Sequence, residues 1–507
     1  MQNPPPPPQK SNGPSLSIQA KKTPHVKYAK YRKVNPKSIE KMSNDISQAD
    51  IISQIDANEF GNSNENYVRM NSIIQQAFEK HMPLKCIKFN KHKHKMSPWI
   101  TTGIIRSICF RDKLYIRLHK TEPDTELYNT LKTNLATYKC ILKKSIRIAK
   151  QNYYESCFEK YKNNIRKTWQ TISDILNRHK NKRSFPEYFM EDGSQITDKL
   201  EVANKFNAYF TQIGPKLANS ITTPKNQSFR NYLTKKHKCT FEFKDINNDT
   251  VTKVIDSLKP KSSHGHDGLS VSLMKQVKDV IVEPLKIIIN QMLKTGIFPN
   301  PLKIARVIPI FKKGDEHIFT NYRPISLLPA ISKVFEVVIY LQLYEYLKTN
   351  NLIYDSQYGF RPEHSTELST LELVDRLLQD MDTDKVPINI YIDLSKAFDT
   401  IDHNILLEKL EYYGVKSIEL KVFQSYLQNR KQYVDIDNIC SDILPINTGV
   451  PQGSILGPLL FLIYVNDIDN ASTLFKALIY ADDTTLSSTL CAFDTKDKIP
   501  SGDIINL

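Results

Sequence analysis

Apolar residues follow two different rhythms along the chain. From Leu127 through Leu131, Leu135 and Tyr138 to Leu142 they recur at three- and four-residue steps. The same spacing returns from Tyr154 through Phe158, Tyr161, Ile165, Trp169 and Ile172 to Leu176. This predicts two amphipathic helices, each with one buried stripe. Later the rhythm shortens. Ile388 to Ile392 is dense in β-branched and aromatic residues and predicts a buried strand that ends at Asp393. Phe475 to Tyr480 and Thr484 to Leu486 predict two strands around a tight turn holding Asp482 and Asp483. Leu459 to Val465 is apolar on every side, as in a helix packed under a sheet. His403 to Tyr413 carries Leu406, Leu410 and Tyr413 on one face and is followed by Gly414, which predicts a packing helix with a glycine stop.

The three aspartates matter because of where the strands put them. Carboxylates gathered at neighbouring strand ends repel one another unless a cation is shared between them. Hard divalent ions such as Mg²⁺ prefer such oxygens. Two ions held ~4 Å apart can activate a 3′-hydroxyl and neutralise a departing pyrophosphate. Taken singly, an Asp-Asp pair between strands is also an ordinary turn, and an Asp after a strand is also a helix N-cap.

Other segments narrow the choice. In chain order come Ser262-Ser263-His264-Gly265-His266-Asp267-Gly268-Leu269, then Ala305 to Gly314 with Lys312 and Lys313, then Asn321-Tyr322-Arg323-Pro324-Ile325-Ser326-Leu327-Leu328. Gln357 to Thr366 and Gly449-Val450-Pro451-Gln452-Gly453-Ser454-Ile455-Leu456-Gly457-Pro458 follow. Together with Tyr391 to Asp399 and Tyr480-Ala481-Asp482-Asp483, these resemble the reverse transcriptases of non-LTR retrotransposons, particularly the jockey-like lineages, over about Lys261 to Leu486.

The resemblance implies an α/β (α+β) right-hand polymerase: fingers and a partial palm, an antiparallel sheet backed by helices, preceded by a basic helical region. It implies RNA-directed DNA synthesis from dNTPs on an RNA template and a DNA primer. Two Mg²⁺ ions, with Mn²⁺ as an alternative, would be held by Asp393, Asp482 and Asp483 with the Leu394 carbonyl. Lys312, Lys313, Arg323, Phe398, Gln452 and Gly453 would meet the nucleotide. Phe398 would exclude a 2′-hydroxyl and so favour deoxynucleotides. Gly359, Phe360, Arg361 and Tyr480 would meet template and primer. An RNA-dependent RNA polymerase fits less well, because Tyr480-Ala481 precedes the Asp pair and Phe398 holds the sugar position.

Charge adds a second feature. The chain has 507 residues and a formal net charge of +16. Between Lys85 and Arg183, 24 Lys and Arg stand against 7 Asp and Glu, so this segment supplies essentially the whole excess. Lys143, Lys144, Arg147, Arg166 and Lys167 lie on the polar faces of the helical stripes and are candidates to grip a nucleic-acid backbone. A solvated helical surface would carry the same charges.

The expected organisation is a Pro- and Lys-rich disordered tail over 1–40 and a short helical or linker segment over 41–84. The basic amphipathic helices follow over 85–183, a linker and polymerase extension over 184–260, the polymerase over 261–490 and a truncated end over 491–507. The seven cysteines are scattered without a Cys-x-x-Cys pair, so neither a zinc site nor a disulfide framework is expected. With no long apolar span and no secretory signal, an intracellular protein without membrane contact is expected. No endonuclease block precedes the basic helices, and the family's primer grip and thumb would follow Asp483. The expectation is therefore a polymerase that takes its primer end from a separate endonuclease. The alternative is a catalytically incomplete remnant that at most binds nucleic acid.

Overall fold

A computed structural model describes residues 28–88, 97–176, 185–220, 228–233 and 237–491. The polyproline run and the segment after Cys491, expected to be a disordered tail and a truncated end, lie outside the described residues. Two compact units are present: residues 1–33 with 84–182, and residues 34–83 with 183–507.

In the first unit, β1 (Tyr28–Arg32) pairs antiparallel with β2 (Leu84–Lys88). Three helices follow, Thr102–His119, Glu126–Tyr161 and Ile165–Ile175. The two predicted helices are divided differently from expectation. The first stripe and the start of the second share one helix of 36 residues. No Gly or Pro interrupts residues 126–161, so the ladder runs on until Asn164 caps the next helix by accepting from the Lys167 amide. The stripes are also less buried than their period implies. Leu131 and Leu135 pack with Leu118, and Leu142 is buried as well. Ile165 and Trp169 remain 76% and 64% exposed.

The second unit holds the remaining β-structure. β3 (Phe189–Glu191) and β4 (Ser194–Ile196) form a small hairpin. A mixed sheet has the order β10-β8-β5-β6. Its strands are β5 (Ile304–Phe311), β6 (Tyr322–Leu327), β8 (Arg430–Ile436) and β10 (Leu444–Ile446), with β9 (Ile439–Cys440) paired to β8. The β5–β6 hairpin is antiparallel, whereas β5 and β8 run parallel. A three-stranded sheet is antiparallel, of order β11-β12-β7, with β7 (Lys385–Asp393), β11 (Lys476–Tyr480) and β12 (Asp483–Cys491).

The described residues of 184–260, expected as a linker and N-terminal extension of the polymerase, carry several elements. The helix Lys199–Ser220 covers the mixed sheet, where Phe206 and Phe189 close over Val307 and Val434. Burying such rings contributes roughly 2–3 kcal/mol each. Residues 36–81 likewise belong to the core. Met42 and Met70, on helices Pro36–Gln48 and Ser63–His81, share a fully buried cluster with Leu285, Phe335, Phe423 and Leu460. Buried Asn66 donates to Gln291 at 2.8 Å within it. Among the described residues no helix is long and apolar enough to cross a membrane.

Candidate active site

The three-stranded sheet sets the register of the aspartates. β7 pairs antiparallel with β12 so that Asp393 lies directly opposite Asp483, and β11 pairs with β12 so that Tyr480 lies opposite Asp483. Asp483 therefore opens a strand, and only Ala481 and Asp482 form the turn, not both aspartates. Directly opposed residues point to the same face of a sheet, and like charges in that position repel. None of the three carboxylates makes an ion pair with a described residue. β7 is an edge strand with Tyr391 70% exposed, rather than the buried strand its composition suggests. The sheet is too narrow to cover it, although helix Thr366–Asp382 packs beside it.

The turn is held from below by the segment 356–361. The Ile479 amide donates to the Ser356 carbonyl at 2.9 Å, and the Tyr358 amide donates to the Ile479 carbonyl at 2.7 Å. Buried Gln357 accepts at its Oε1 from the amides of Gly359 (2.8 Å) and Ala481 (3.1 Å). Ala481 has a φ of 60°, a left-handed conformation that costs an alanine about 1–2 kcal/mol. A Cβ on Gly359 would lie 2.0 Å from the Ala481 nitrogen, so only glycine lets this loop reach the turn. The Arg361 Nη1 donates to the carbonyls of Tyr354, Asp355 and Gln357 at 3.0–3.2 Å. Its guanidinium thus closes its own loop.

Phe360 leads from the turn to Phe398. Its ring meets Phe398 edge-on at 5.7 Å, and Phe398 stacks on Phe461 at 5.0 Å. Phe461 belongs to the helix Leu456–Val465, so Phe398 rests on the core with one side left toward the loop. Leu394 packs against the same core. The Val450 amide donates to the Phe398 carbonyl at 2.9 Å, and the Ser326 amide to the Gln452 carbonyl at 2.9 Å. Gly453 takes a φ of 128°, and a Cβ there would lie 2.6 Å from the Ser326 carbonyl oxygen. The Gln452 loop is thereby laced between β6 and the segment after β7.

The basic hairpin comes to the same place. Lys312 and Lys313 follow β5, and Arg323 lies on β6 opposite Ile310. Burial lowers the pKa of the Lys396 ammonium; Lys312 and Arg323 push it the same way, while Asp399 opposes them. Lys396, Lys312 and Arg323 therefore form one cationic group, a natural seat for phosphate oxygens. Lys312 and Lys313 are both exposed. The five cations singled out on the first unit, Lys143, Lys144, Arg147, Arg166 and Lys167, are all exposed.

Three residues of this region escaped the sequence reading. Lys396 and Asp399 stand at polar positions just after the strand that carries Asp393. Glu336 is fully buried on helix Ala330–Thr349 and accepts from the amides of Ile455 (2.6 Å) and Leu456 (3.3 Å), capping the helix that follows the Gln452 loop. A lone carboxylate in the apolar run Val334-Phe335-Glu336-Val337-Val338 was its only signal.

The donor chemistry suits a hard divalent ion, since Asp393 and Asp483 stand opposed in register and offer carboxylate oxygens. Among the described residues, no three His, Cys, Asp or Glu side chains converge into a ready cage. A Mg²⁺-type ion commonly completes its shell from substrate phosphates and water rather than from protein alone.

Comparison with known proteins agrees with this geometry. Residues 310–492 match the family described as reverse transcriptase (RNA-dependent DNA polymerase). The chain is 33% identical over 286 residues to a probable RNA-directed DNA polymerase from transposon BS of Drosophila melanogaster, covering 53% of this chain and 31% of that protein. It is 31% identical over 265 residues to the RNA-directed DNA polymerase from mobile element jockey of the same fly, covering 50% and 29%. It is 29% identical over 261 residues to the probable polymerase from transposon X-element, covering 49% and 28%. The chain thus spans about a third of the length of these relatives. The strand-end aspartates, the glycine-dependent turn, Lys312, Lys313 and Arg323 all fall within residues 310–492, which match a reverse transcriptase domain and are similar to those of jockey-like transposons.

Proposed function

We propose that the chain acts as an RNA-directed DNA polymerase that adds deoxynucleotides to a primer 3′-hydroxyl. One observation supports this most directly: a series of contacts runs from the Ala481-Asp482 turn through Gly359, Phe360 and Phe398 to Asp399 and Gln452, with the Lys396 ammonium held within the field of Lys312 and Arg323. A nucleotide bound along that series would have its phosphates at the cations, its sugar over Phe398 and its α-phosphate at the aspartates.

Asp393, Asp482 and Asp483, with the Leu394 carbonyl, would hold two Mg²⁺ ions. When bound, such ions acidify the attacking hydroxyl and offset charge on the departing pyrophosphate. The protein's own residues supply the rest. Lys312, Arg323 and Lys396 orient the triphosphate and offset its charge. Phe398 presents a flat apolar surface that leaves no room for a 2′-hydroxyl. Gln357 and Gly359 hold the turn so that Asp482 does not have to be ordered during reaction. The exposed cations on helices Glu126–Tyr161 and Ile165–Ile175 would grip template backbone, and the primer end would come from a separate endonuclease.

Primer extension on an RNA template with deoxynucleotides and Mg²⁺ tests the reading. Asp482→Ala should lower extension by on the order of 10³-fold, equivalent to about 4 kcal/mol of lost charge stabilisation. Extension that persists in the variant, or none by the unmutated chain, would overturn it.

A further inference from the structure

We propose that Asp399 is a positioning residue that fixes the Gln452 side chain so that its Oε1 is presented to the nucleotide as an acceptor. The inference rests on the polymerase reading above and adds to it a residue acting through another. Gln452 Nε2 donates to both Asp399 carboxylate oxygens, at 3.0 and 2.9 Å. An amide carries its donors on nitrogen and its acceptor on oxygen. With one N–H of Nε2 shared between the two carboxylate oxygens, Oε1 is held away from Asp399, and it makes no hydrogen bond to any described residue. A half-buried acceptor on the loop whose Val450 amide donates to the Phe398 carbonyl complements a sugar hydroxyl, which must donate.

The backbone around Asp399 leaves it little freedom. Its amide donates to the Lys396 carbonyl at 2.8 Å, and the Gly449 amide donates to Ile401 at 2.8 Å. A Cβ on Gly214 would lie 2.2 Å from the Asp399 carbonyl oxygen, and one on Gly449 would lie 2.8 Å from its Cα. Asp399 is thus wedged between helix Lys199–Ser220 and the Gln452 loop, and its carboxylate can serve as a fixed reference for the amide. Tyr209 faces it from that helix and Lys396 from its own loop. Arg430 of β8 lines the same small cavity, of about 30 Å³. Burial raises the Asp399 pKa to about 6, against the opposing pull of Gln452 and Lys396.

A purely structural role and a positioning role separate kinetically. Asp399→Ala frees the amide to rotate. It should raise KM for deoxynucleotides about tenfold with a smaller change in kcat, the loss of one hydrogen bond worth about 1.4 kcal/mol. It should also reduce the preference for deoxynucleotides over 3′-deoxy analogues by a similar factor. Asp399→Asn, which keeps one acceptor oxygen, should fall between. A lower kcat with KM and preference unchanged would overturn the proposal.

A second readout needs no turnover. In the full chain carrying ¹⁵N-glutamine, the Gln452 side-chain amide signal, assigned by its loss in Gln452→Glu, should shift with a midpoint near pH 6. It should stay fixed in Asp399→Asn. An amide that does not titrate overturns the pairing whatever the activity. A titrating amide in a chain that extends no primer overturns the polymerase reading alone and supports orientation of Gln452 by Asp399.

Discussion

Asp267 shows what burial does to a single charge. Its pKa is raised to about 6 from 3.8, chiefly by desolvation, and its Oδ2 has no hydrogen-bond partner among the described residues. A carboxyl whose folded pKa exceeds its unfolded value binds more protons when folded, so it costs stability above about pH 6 and releases that cost as pH falls toward 3.8. Asp267→Asn keeps the acceptor that receives the Leu269 amide at 3.2 Å. It should raise unfolding stability at pH 7.5 by about 1–3 kcal/mol, and the gain should shrink at pH 4.5. Denaturant melts at the two pH values check it; an equal gain at both would refute the charge argument. The motif around Asp267 is packed in other ways too. His264 lies 3.3 Å from the Arg306 guanidinium, and a Cβ on Gly265 would lie 2.6 Å from the Pro329 nitrogen.

Among elements, the catalytic hairpin depends on a neighbour more than on itself. Ala481 sits at the first central position of its two-residue turn with φ positive, while Asp482 does not. That is the pattern of a II′ turn, in which glycine is the usual occupant. The strain is held in place by the Gln357 side chain and by the closeness of Gly359. Gly359→Ala should therefore destabilise the chain by about 1–3 kcal/mol through overpacking and also impair extension, because the turn must move to admit the methyl. An alanine variant with unchanged melting would show that the loop and turn do not touch in solution. The β5–β6 hairpin differs in this respect. Its register is set by its own antiparallel ladder over six residue pairs, Arg306↔Leu327 to Phe311↔Tyr322, and its basic tip was legible without a neighbour.

For the molecule as a whole, charge and chemistry occupy different units, and salt should distinguish them. Removing Lys143, Lys144 and Arg147 together should flatten the dependence of log K on log salt for single-stranded RNA by about 2. It should leave nucleotide KM unchanged. An unaltered salt slope would mean that these cations are only a solvated face.

Short-range rules were enough for the elements whose cause is local. The carboxylates at strand ends, the helix His403–Tyr412 with buried Leu406 and Leu410, and the apolar helix Leu456–Val465 follow from period, turn residues and composition. The order of the motifs likewise carried the family. Local rules failed where burial depends on what lies across space. Composition made β7 a buried strand, but its place at the edge of a three-stranded sheet leaves it exposed. The helical stripe of 154–176 has the right period, yet Ile165 and Trp169 remain exposed among the described residues. Asp399, Lys396 and Glu336 gain their roles from partners far along the chain, Gln452 at 53 residues and Ile455 at 119. A side chain's sequence neighbours fix its backbone preference, but only packing fixes which distant amide, carbonyl or charge it meets. The fold class and the gathering of the carboxylates at strand ends were therefore legible in the chain itself, while the support that holds them in register came from contacts made on folding.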